Sequence, residues 1–329
     1  MKRAKGLLPQ IIDPDNLRLA FWNASKGKRY TRSVQDYQNN LDNHLLGLRR
    51  QILSGEIQVG DYRYFKVYEP KERQICASAF REQVLHHAMM NVCHAHFDRA
   101  LIFDCYASRK GRGTFAALER ARVFTRRYEW FLKLDVRKFF DSLSHNVMKR
   151  QLAHLFKEEP VLCVFYKIID SYEAHPGRGV PIGNLTSQYF ANHYLSCLDH
   201  FIKERLGIKA YVRYMDDMVL WHNDKAVLKS AGMEIREYLE NSLLCNLKPL
   251  LLNRCKLGLP FLGFRVHPFQ VRLLQKSKVR FCRKIKRVIR YYHEGYWNET
   301  ACSKNALPLV AFTRHADAKD FRKSVLSRL

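Results

Sequence analysis

The chain has 329 residues, and its 57 Lys and Arg against 31 Asp and Glu give a formal net charge of +26. A hydrophobic content of 47% excludes wholesale disorder and is enough to build a core. This charge points to a polyanionic partner. Nucleic acid is favoured over an anionic membrane surface, and no apolar run or signal peptide predicts a membrane protein. The nine cysteines form no C-x-x-C pair, so we predict unpaired thiols in a reducing compartment.

Residues 1–60 are polar and predicted to be helical. Leu17, Ala20, Phe21 and Ala24 fall on one helical face. A second apolar stripe follows at Leu41, Leu45, Leu48 and Ile52. The segment is either a packing appendage or a docking surface for a partner, and the residues alone leave both interpretations open.

Two short strands are predicted at 64–68 and 74–77, joined by the charged turn 69–73. Basic side chains on such a hairpin can close over a triphosphate, because Arg offers a bidentate fork and Lys a point charge. The alternative is solvated charge on an exposed turn. A helix is predicted to follow over 81–97.

The segment 106–114 is basic and rich in glycine, and a helix is predicted to begin near Phe115. Backbone N–H groups together with Arg109, Lys110 and Arg112 would hold phosphates there. The spacing is not that of a P-loop. An ordinary basic turn is the alternative.

Three carboxylates are predicted to lie close together. The apolar strand 131–135 ends in Asp135, and the strands 211–215 and 218–221 flank a tight turn that carries Asp216 and Asp217. Taken alone, the turn could be a plain hairpin with two solvated acids. A strand end beside a hairpin tip would gather all three acids, however, and such a cluster requires compensating divalent cations.

Mg²⁺ suits such a site because it prefers carboxylate oxygens and keeps positions open for substrate phosphates. Two ions about 3.5–4 Å apart can activate an attacking 3′-hydroxyl and stabilise a leaving pyrophosphate. His or Cys would select softer metals. The sequence therefore predicts two Mg²⁺ ions, with Mn²⁺ as a possible substitute.

A helical stretch over 144–173, broken at Glu159-Pro160, leads to a glycine-rich loop that enters a helix over 185–205. Gly183 would permit close backbone approach to a base pair. Ser187 or Gln188 would bond the template. An ordinary cap and turn is the alternative.

The C-terminal part begins with a predicted helix over 228–243, a strand near 250–252 and a hairpin at 261–264. Residues 271–292 then contain nine Lys or Arg and no acid. At helical spacing they form a basic face suited to phosphates. The candidate contacts are Lys276, Lys278, Arg280, Arg283, Lys284, Lys286 and Arg287.

The segments FLKLD with the following FF, PIGNLTSQ, YMDD and FLGF resemble, in order and spacing, the successive palm motifs of reverse transcriptases. The resemblance implies an α+β right-hand polymerase that copies RNA into DNA from deoxynucleotides. Its parts would be an N-terminal helical extension (1–60), fingers and palm with an antiparallel sheet (61–268), and a helical thumb (269–329). The catalytic, metal-binding residues would be Asp135, Asp216 and Asp217, with Val136 in the same metal site.

The resemblance also assigns binding roles. It places Lys71, Arg73 and Arg81 around the incoming nucleotide. Phe140 would lie beneath the sugar and clash with a 2′-hydroxyl, and Gly263 would belong to the hairpin that holds the primer. The residues at the nascent pair would be Ile182, Gly183 and Gln188. A lysine on the pyrophosphate side would be Lys248 or Lys256, and the choice stays open.

The PIGNLTSQ segment narrows the family. Many reverse transcriptases have Gln before the glycine and end in Ser-Pro, whereas this chain has Ile182 before Gly183 and ends in Ser187-Gln188. That form resembles the enzymes of diversity-generating retroelements, from bacteria and phages. It implies a cytoplasmic enzyme, in a bacterial or phage-infected cell, that copies a template-repeat RNA with errors at adenines. The cDNA would rewrite a target gene, and a small basic oligomeric accessory protein would assist.

Two alternatives remain. Within the class, the chain would be a retron, group II intron-like or defence-associated reverse transcriptase. From another class, it would be a non-catalytic RNA-binding scaffold on a polymerase palm.

Overall fold

The computed structural model describes residues 3–68 and 72–327. They form two compact units. The first contains residues 3–68, 72–103, 136–205 and 235–248, and the second contains 104–135, 206–234 and 249–327. The described residues form both helices and antiparallel sheets, as is typical of an α+β fold. In the described ranges, no helix is both long enough and apolar enough to cross a membrane.

The helices, in chain order, are α1 (Leu8–Ile11), α2 (Pro14–Ser25), α3 (Arg32–Asn39), α4 (Leu41–Ser54), α5 (Phe80–Ala100), α6 (Thr114–Arg127), α7 (Phe139–Ser142), α8 (His145–Leu155), α9 (Glu159–Asp170), α10 (Leu185–Tyr194), α11 (Ser196–His200), α12 (Lys225–Asn241), α13 (Gln275–His293), α14 (Glu299–Arg314) and α15 (Lys319–Leu326). The strands are β1 (Tyr62–Val67), β2 (Arg73–Ser78), β3 (Trp130–Asp135), β4 (Tyr211–Tyr214), β5 (Asp217–His222), β6 (Leu251–Arg254), β7 (Leu259–Phe261), β8 (Phe264–Val266) and β9 (Val271–Leu273). A π-helical turn lies at Phe201–Arg205 and a 3-10 turn at Cys255–Leu257.

In the first unit, α2 packs on α5. The Asp13 side chain caps α2 by accepting from the Asp15 backbone N–H at 2.9 Å, and Pro14 occupies the first turn, where proline is tolerated. The Phe21 ring meets Phe80 of α5 edge to face at 6.0 Å. The apolar face predicted for this segment is buried, at Leu17, Ala20, Phe21 and Ala24. This face of the N-terminal extension therefore belongs to the core.

The strands β1 and β2 form an antiparallel hairpin, paired from Tyr62 with Ser78 to Val67 with Arg73. The base of the hairpin is fixed to α5. The Gly60 backbone N–H donates to Glu82 Oε2 at 3.0 Å, and Glu82 is a buried residue of the first turn of α5. The hairpin therefore projects from an anchored base.

Two predicted helical stretches are divided differently in the structure. The first breaks at residues 156–158, and Pro160 lies within the first turn of α9. Proline is tolerated there because the backbone N–H groups of a first turn have no acceptor within the helix. The second, predicted over 185–205, is divided into α10, α11 and the π-helical turn.

The second unit is organised around a four-stranded antiparallel sheet in the order β4-β5-β3-β6. The central strand β3 pairs with β5 from Trp130–His222 to Asp135–Asp217, and with β6 on its other side. Phe131 and Trp221 lie in the core of this unit, where the Trp221 indole N–H donates to Thr125 Oγ1 of α6 at 3.1 Å. The sheet therefore has a rigid, well-packed base.

The strands β7, β8 and β9 form a second sheet in this unit. β9 occupies the first residues of the stretch predicted as a basic helix. Val271 and Leu273 are both buried, with the exposed Arg272 between them, and they pair with β8, so α13 begins only at Gln275. The Val271 backbone N–H also donates to Asp317 Oδ2 at 2.8 Å.

Candidate functional site

The turn between β4 and β5 carries two adjacent acids. Tyr214 pairs with Asp217, which leaves Met215 and Asp216 as the two turn residues. Met215 has φ +54°, an uncommon value for a residue with a side chain. The buried Arg213 guanidinium donates from Nη1 to the Met215 carbonyl at 3.3 Å. The turn is thus held in a strained conformation that places Asp216 and Asp217 at the edge of the sheet.

Asp135, the last residue of β3, is the direct cross-strand partner of Asp217. Paired positions on antiparallel strands have Cβ atoms about 4.5–5.5 Å apart. The structure therefore brings together the three aspartates predicted from the sequence, two on adjoining strands of one sheet and Asp216 in the turn between β4 and β5.

The electrostatics of Asp217 reflect this crowding. Burial raises its pKa from 3.8 to about 6. The Lys133 ammonium opposes that rise, and the Asp135 and Asp216 carboxylates add to it. Oδ1 of Asp217 is buried without a hydrogen-bond partner. An orphaned carboxylate oxygen beside two further carboxylates fits a divalent cation.

Across residues 3–68 and 72–327, no three His, Cys, Asp or Glu side chains enclose a metal position by themselves. Mg²⁺ normally retains water or phosphate oxygens among its ligands, so a partial protein ligand set is compatible with it. The Val136 side chain is fully buried and has no ligating atom, so only its main-chain carbonyl is available.

Sequence reasoning missed Lys133. Its Nζ donates to Asp217 Oδ2 at 2.9 Å and to the Pro260 carbonyl of β7 at 2.8 Å. A signal was present, since residues two apart on a strand share a face and Lys133 therefore lies on the same face as Asp135.

In the described ranges, positive φ values at residues other than glycine concentrate near the predicted motifs. Four of the five such residues lie in or beside these motifs: Ser108 in the basic glycine segment, Lys138 after Asp135, Met215 in the acidic turn and Leu262 in the β7–β8 turn. Leu244 is the fifth. Strained backbone of this kind clusters at functional sites.

In the first unit, the loop before α10 is attached to β2. The Cys76 backbone N–H donates to the Ile182 carbonyl at 2.9 Å. Gly183 has φ +137°, and a Cβ added there would lie 2.7 Å from the Cys76 carbonyl oxygen. The loop is further held by Asn184, whose Nδ2 donates to the Tyr62 hydroxyl at 3.3 Å. A glycine is therefore required for close approach to the β2 backbone, a reason the sequence did not reveal.

The predicted nucleotide contacts also lie in the first unit. Arg73 is exposed at the start of β2, and Arg81 is exposed on the first turn of α5. Arg81 lines a cavity of about 170 Å³ together with residues of α4 and α5. Lys71 lies outside the described residues.

Two further predicted contacts are placed by short helices. Phe140 in α7 is half-buried, with its ring 5.7 Å from the buried Phe139 ring. On the first turns of α10, Ser187 is buried and Gln188 is exposed. Ile182 is half-buried in the preceding loop. Gln188, Phe140 and Ile182 are therefore accessible, whereas Ser187 is enclosed.

The basic glycine segment lies in the second unit, before α6. Arg109 Nη1 donates to the Cys105 carbonyl at 3.1 Å, and the Arg112 guanidinium lies 5.6 Å from the centre of the Tyr106 ring. Lys110 is exposed. Arg109 and Arg112 therefore help to shape the segment, and Lys110 projects from it.

α13 buries one face of Ser277, Phe281, Ile285 and Val288. The seven predicted basic contacts occupy the remaining surface. Exposed are Lys276, Arg283, Lys286 and Arg287, and half-buried are Lys278, Arg280 and Lys284. Ser277 Oγ also donates to the Gly263 carbonyl at 2.8 Å, which fixes the β7–β8 turn to this helix.

The two candidate pyrophosphate-side lysines differ in setting. Leu247 forms an antiparallel bridge with Val136, and the half-buried Lys248 follows it directly. Lys256 is exposed in the 3-10 turn.

Comparison with known proteins gives a family match over residues 69–266, more than half of the chain. The family is described as "Reverse transcriptase (RNA-dependent DNA polymerase)". Similar curated proteins are the Putative COX1/OXI3 intron 1 and intron 2 proteins of Saccharomyces cerevisiae. The first is 22% identical over 61% of this chain and 26% of the relative. The second is 20% identical over 65% of this chain and 32% of the relative. The chain thus spans about a third or less of these relatives.

Among solved structures, apo telomerase from Candida tropicalis has a TM-score of 0.55 at 11% identity, covering 81% of this chain and 59% of that one. The telomerase of the same organism in complex with a TWJ fragment of telomeric RNA has a TM-score of 0.51 at 12% identity, covering 84% and 57%. At this identity the likeness concerns the fold alone. The α+β, right-hand polymerase fold predicted from the sequence is confirmed.

Proposed function

The chain belongs to the reverse transcriptase (RNA-dependent DNA polymerase) family, and on that premise we propose that it extends a primer along an RNA template by adding deoxynucleotides. The observation that carries the proposal is the aspartate cluster at the edge of the β4-β5-β3-β6 sheet. Asp135 and Asp217 occupy paired positions, and Asp216 lies in the adjoining turn.

Asp135, Asp216 and Asp217 would hold the divalent cations, with the main-chain carbonyl of Val136 beside them. Oxygen donors suit Mg²⁺ and also Mn²⁺. When bound, two such ions supply activation of the primer 3′-hydroxyl and charge stabilisation for the leaving pyrophosphate. The protein's part is to present these oxygens at a fixed edge of a rigid sheet, with the orphaned Oδ1 of Asp217 among them.

Basic residues would hold the remaining phosphates. Arg73 and Arg81, together with Lys71, would contact the triphosphate, since guanidinium groups bind phosphate oxygens bidentately. Phe140 would lie against the sugar. The exposed basic surface of α13 would contact the template–primer backbone, whose phosphates attract such a charge density independently of sequence.

The test is primer extension on an RNA template with deoxynucleotides and Mg²⁺, run beside an Asp216→Asn variant. We expect extension by the wild type, none by the variant and none after chelation. RNA binding without extension in the wild type would favour the non-catalytic scaffold. Extension that survives chelation would contradict the metal-dependent site.

We further propose that the template is a template-repeat RNA and that the cDNA diversifies a target gene. The support is the I-G-N-L-T-S-Q segment, in which Ile182 precedes Gly183 and Ser187-Gln188 closes the motif. Sequencing of cDNA should then show errors concentrated opposite template adenines. A pair of imperfect repeats near the gene, differing mainly at adenines, would support the same assignment.

An intron-related or other reverse transcriptase function is the second candidate, because both curated relatives are named as intron proteins. It predicts uniform, low error frequencies across the four template bases. The same sequencing experiment therefore separates the two functions.

We also propose that a small basic oligomeric accessory protein binds the N-terminal extension. Leu19 and Trp22 of α2 are 50% and 44% exposed, on the side away from the buried face. Since Phe21 packs on α5, deleting residues 1–60 would expose core, and point changes are the sharper test. Leu19→Asp with Trp22→Asp should abolish capture of the accessory protein, whereas Leu53→Asp on α4 serves as a matched exposed control.

The proposed compartment is the cytoplasm of a bacterial or phage-infected cell. The nine cysteines form no disulfide bond with one another, which fits a reducing environment. Fractionation of the native host would test the assignment.

A further inference from the structure

Lys133 places a positive charge inside the aspartate cluster. It lies on the central strand β3, between Val219 of β5 and Leu251 of β6. Its side chain is 18% exposed, and its Nζ forms an ion pair with Asp217 Oδ2 at 2.9 Å. Because most of the side chain is enclosed, this pair is less screened by solvent than a surface pair.

The Lys133 ammonium donates hydrogen bonds to two different elements. An ammonium has three donors. One is given to Asp217, one to the Pro260 carbonyl at 2.8 Å, and the Phe261 ring centre lies 5.8 Å away. Lys133 therefore links an acid of the cluster to the backbone of β7.

The two carboxylate oxygens of Asp217 therefore differ in their hydrogen bonding. Oδ2 accepts from Lys133, whereas Oδ1 is buried and has no hydrogen-bond partner. A carboxylate held by one oxygen has a fixed orientation, so its second oxygen is presented in one direction.

We propose that Lys133 is a positioning residue that clamps Asp217 by Oδ2, leaves Oδ1 for a divalent cation, and fixes the β7–β8 hairpin relative to the aspartate cluster. This inference rests on the proposed polymerase function. The hairpin carries the turn at Leu262 and Gly263, where the primer strand is expected. Lys133 would thus set both the orientation of a catalytic carboxylate and the position of the primer end.

Two opposite effects follow from removing the charge. Lys133→Met keeps an unbranched side chain only one atom shorter but deletes a cation that repels divalent ions, so Mg²⁺ should bind more tightly to the free protein. The same change releases Asp217 and the hairpin, so catalysis should slow. Tighter metal binding combined with slower chemistry is not the pattern that simple loss of folding produces.

The experiment compares wild type, Lys133→Met, Lys133→Arg and Lys229→Met, the last an exposed lysine of α12. Mg²⁺ alone is titrated against the melting temperature without nucleotide or primer, and kcat and the primer–template KM are measured separately. For Lys133→Met we expect apparent Mg²⁺ affinity to rise about fivefold or more, the lower end of couplings between linked sites. We expect kcat to fall at least about tenfold, because small misplacements of reacting groups are costly, and KM to rise.

Lys133→Arg keeps the charge and should restore near wild-type Mg²⁺ affinity, and Lys229→Met should match wild type throughout. The inference is overturned if Lys133→Met binds Mg²⁺ no more tightly than wild type, or if it retains wild-type kcat and primer KM. If the wild type fails to extend a primer, the proposed function fails instead, and the Mg²⁺ titration still reports on the clamp.

Discussion

Asp135 and Asp217 stand opposite each other on β3 and β5, at the last pair of the ladder between the two strands. The pairing places two like charges on neighbouring strands, with Asp216 in the next turn position. Like charges directly opposite each other destabilise a sheet. The protein is therefore less stable with these acids at the site than it would be with neutral residues in the same positions.

Neutralising these acids should remove activity without harming the fold. For Asp135→Asn, Asp216→Asn and Asp217→Asn we expect no detectable primer extension and, without metal, an unchanged or higher melting temperature. Glu234→Gln, on an exposed position of α12, is the matched control for loss of one negative charge. Wild-type extension rates in two of the three aspartate variants would contradict the assignment.

The raised pKa of Asp217 predicts a specific pH dependence of stability. Its pKa is about 6 in the folded protein, against an ordinary value of 3.8. The folded state therefore holds this proton more tightly, so the group's contribution to stability is complete below about pH 4 and is lost as pH rises through about 6. Without metal, the melting temperature of wild type relative to Asp217→Asn should fall between these pH values. A difference in melting temperature between the two proteins that stays constant from about pH 4 to pH 7 would count against the raised pKa of Asp217.

Gly183 should be far less tolerant of a side chain than a nearby positive-φ glycine that has open space around it. A Cβ at Gly183 would meet the Cys76 carbonyl oxygen at 2.7 Å, whereas Gly177, with φ +65°, has nothing within 4 Å. Left-handed backbone costs a residue with a side chain about 1–2 kcal/mol, so both Ala variants should lose stability, and Gly183→Ala should lose more. Denaturant unfolding measures the difference. Equal losses would show that the loop adjusts without cost.

The sequence predicted much of this molecule because local patterns encode local structure. The alternation before Asp216 and the apolar run after Asp217 specified β4 and β5, and the acid at the end of 131–135 specified where β3 stops. The Lys133 bridge could not be predicted in the same way. Lys133 contacts Asp217, which lies 84 positions later in the chain, and Pro260, which lies 127 positions later. These contacts depend on strand register and on the packing of the β7–β8 hairpin.

The loop before α10 shows the same limit. Its glycine is predicted to allow approach to a base pair, and the structure adds a separate requirement from β2, more than a hundred residues earlier in the chain. The start of the basic helix was predicted four residues too early, because Val271 and Leu273 are recruited as a strand by β8. Tertiary pairing overrode a local helical pattern in that case.

Phe140 is predicted to select deoxynucleotides by excluding a 2′-hydroxyl. It is half-buried on α7, beside a fully enclosed phenylalanine. Phe140→Ala should reduce discrimination between deoxy- and ribonucleotides by at least about tenfold, or 1.4 kcal/mol. Phe139→Leu, a change in the buried neighbour, should lower stability and leave discrimination unchanged. Unchanged discrimination in Phe140→Ala would assign the ring to packing.

The last prediction concerns fidelity at Ile182. Its carbonyl is already bound to the Cys76 backbone N–H at 2.9 Å, so the main chain is fixed and a substitution acts through the half-buried side chain. An aliphatic side chain forms no hydrogen bond to a base or sugar, and one such bond contributes about 0.5–1.5 kcal/mol.

If glutamine gained that bond only with correct pairs, Ile182→Gln would reduce misincorporation by up to about tenfold, since 1.4 kcal/mol is a factor of ten. Ile182→Leu is the matched control that adds no polar group, and Arg73→Ala tests whether grip on the triphosphate retains mispaired nucleotides. The measurement is the error frequency opposite template adenine and opposite each of the other three bases. We expect Ile182→Gln to lower errors and Ile182→Leu to leave them unchanged. Identical error spectra in wild type, Ile182→Gln and Arg73→Ala would exclude both residues as determinants of fidelity and would locate any adenine bias in the RNA or the accessory protein.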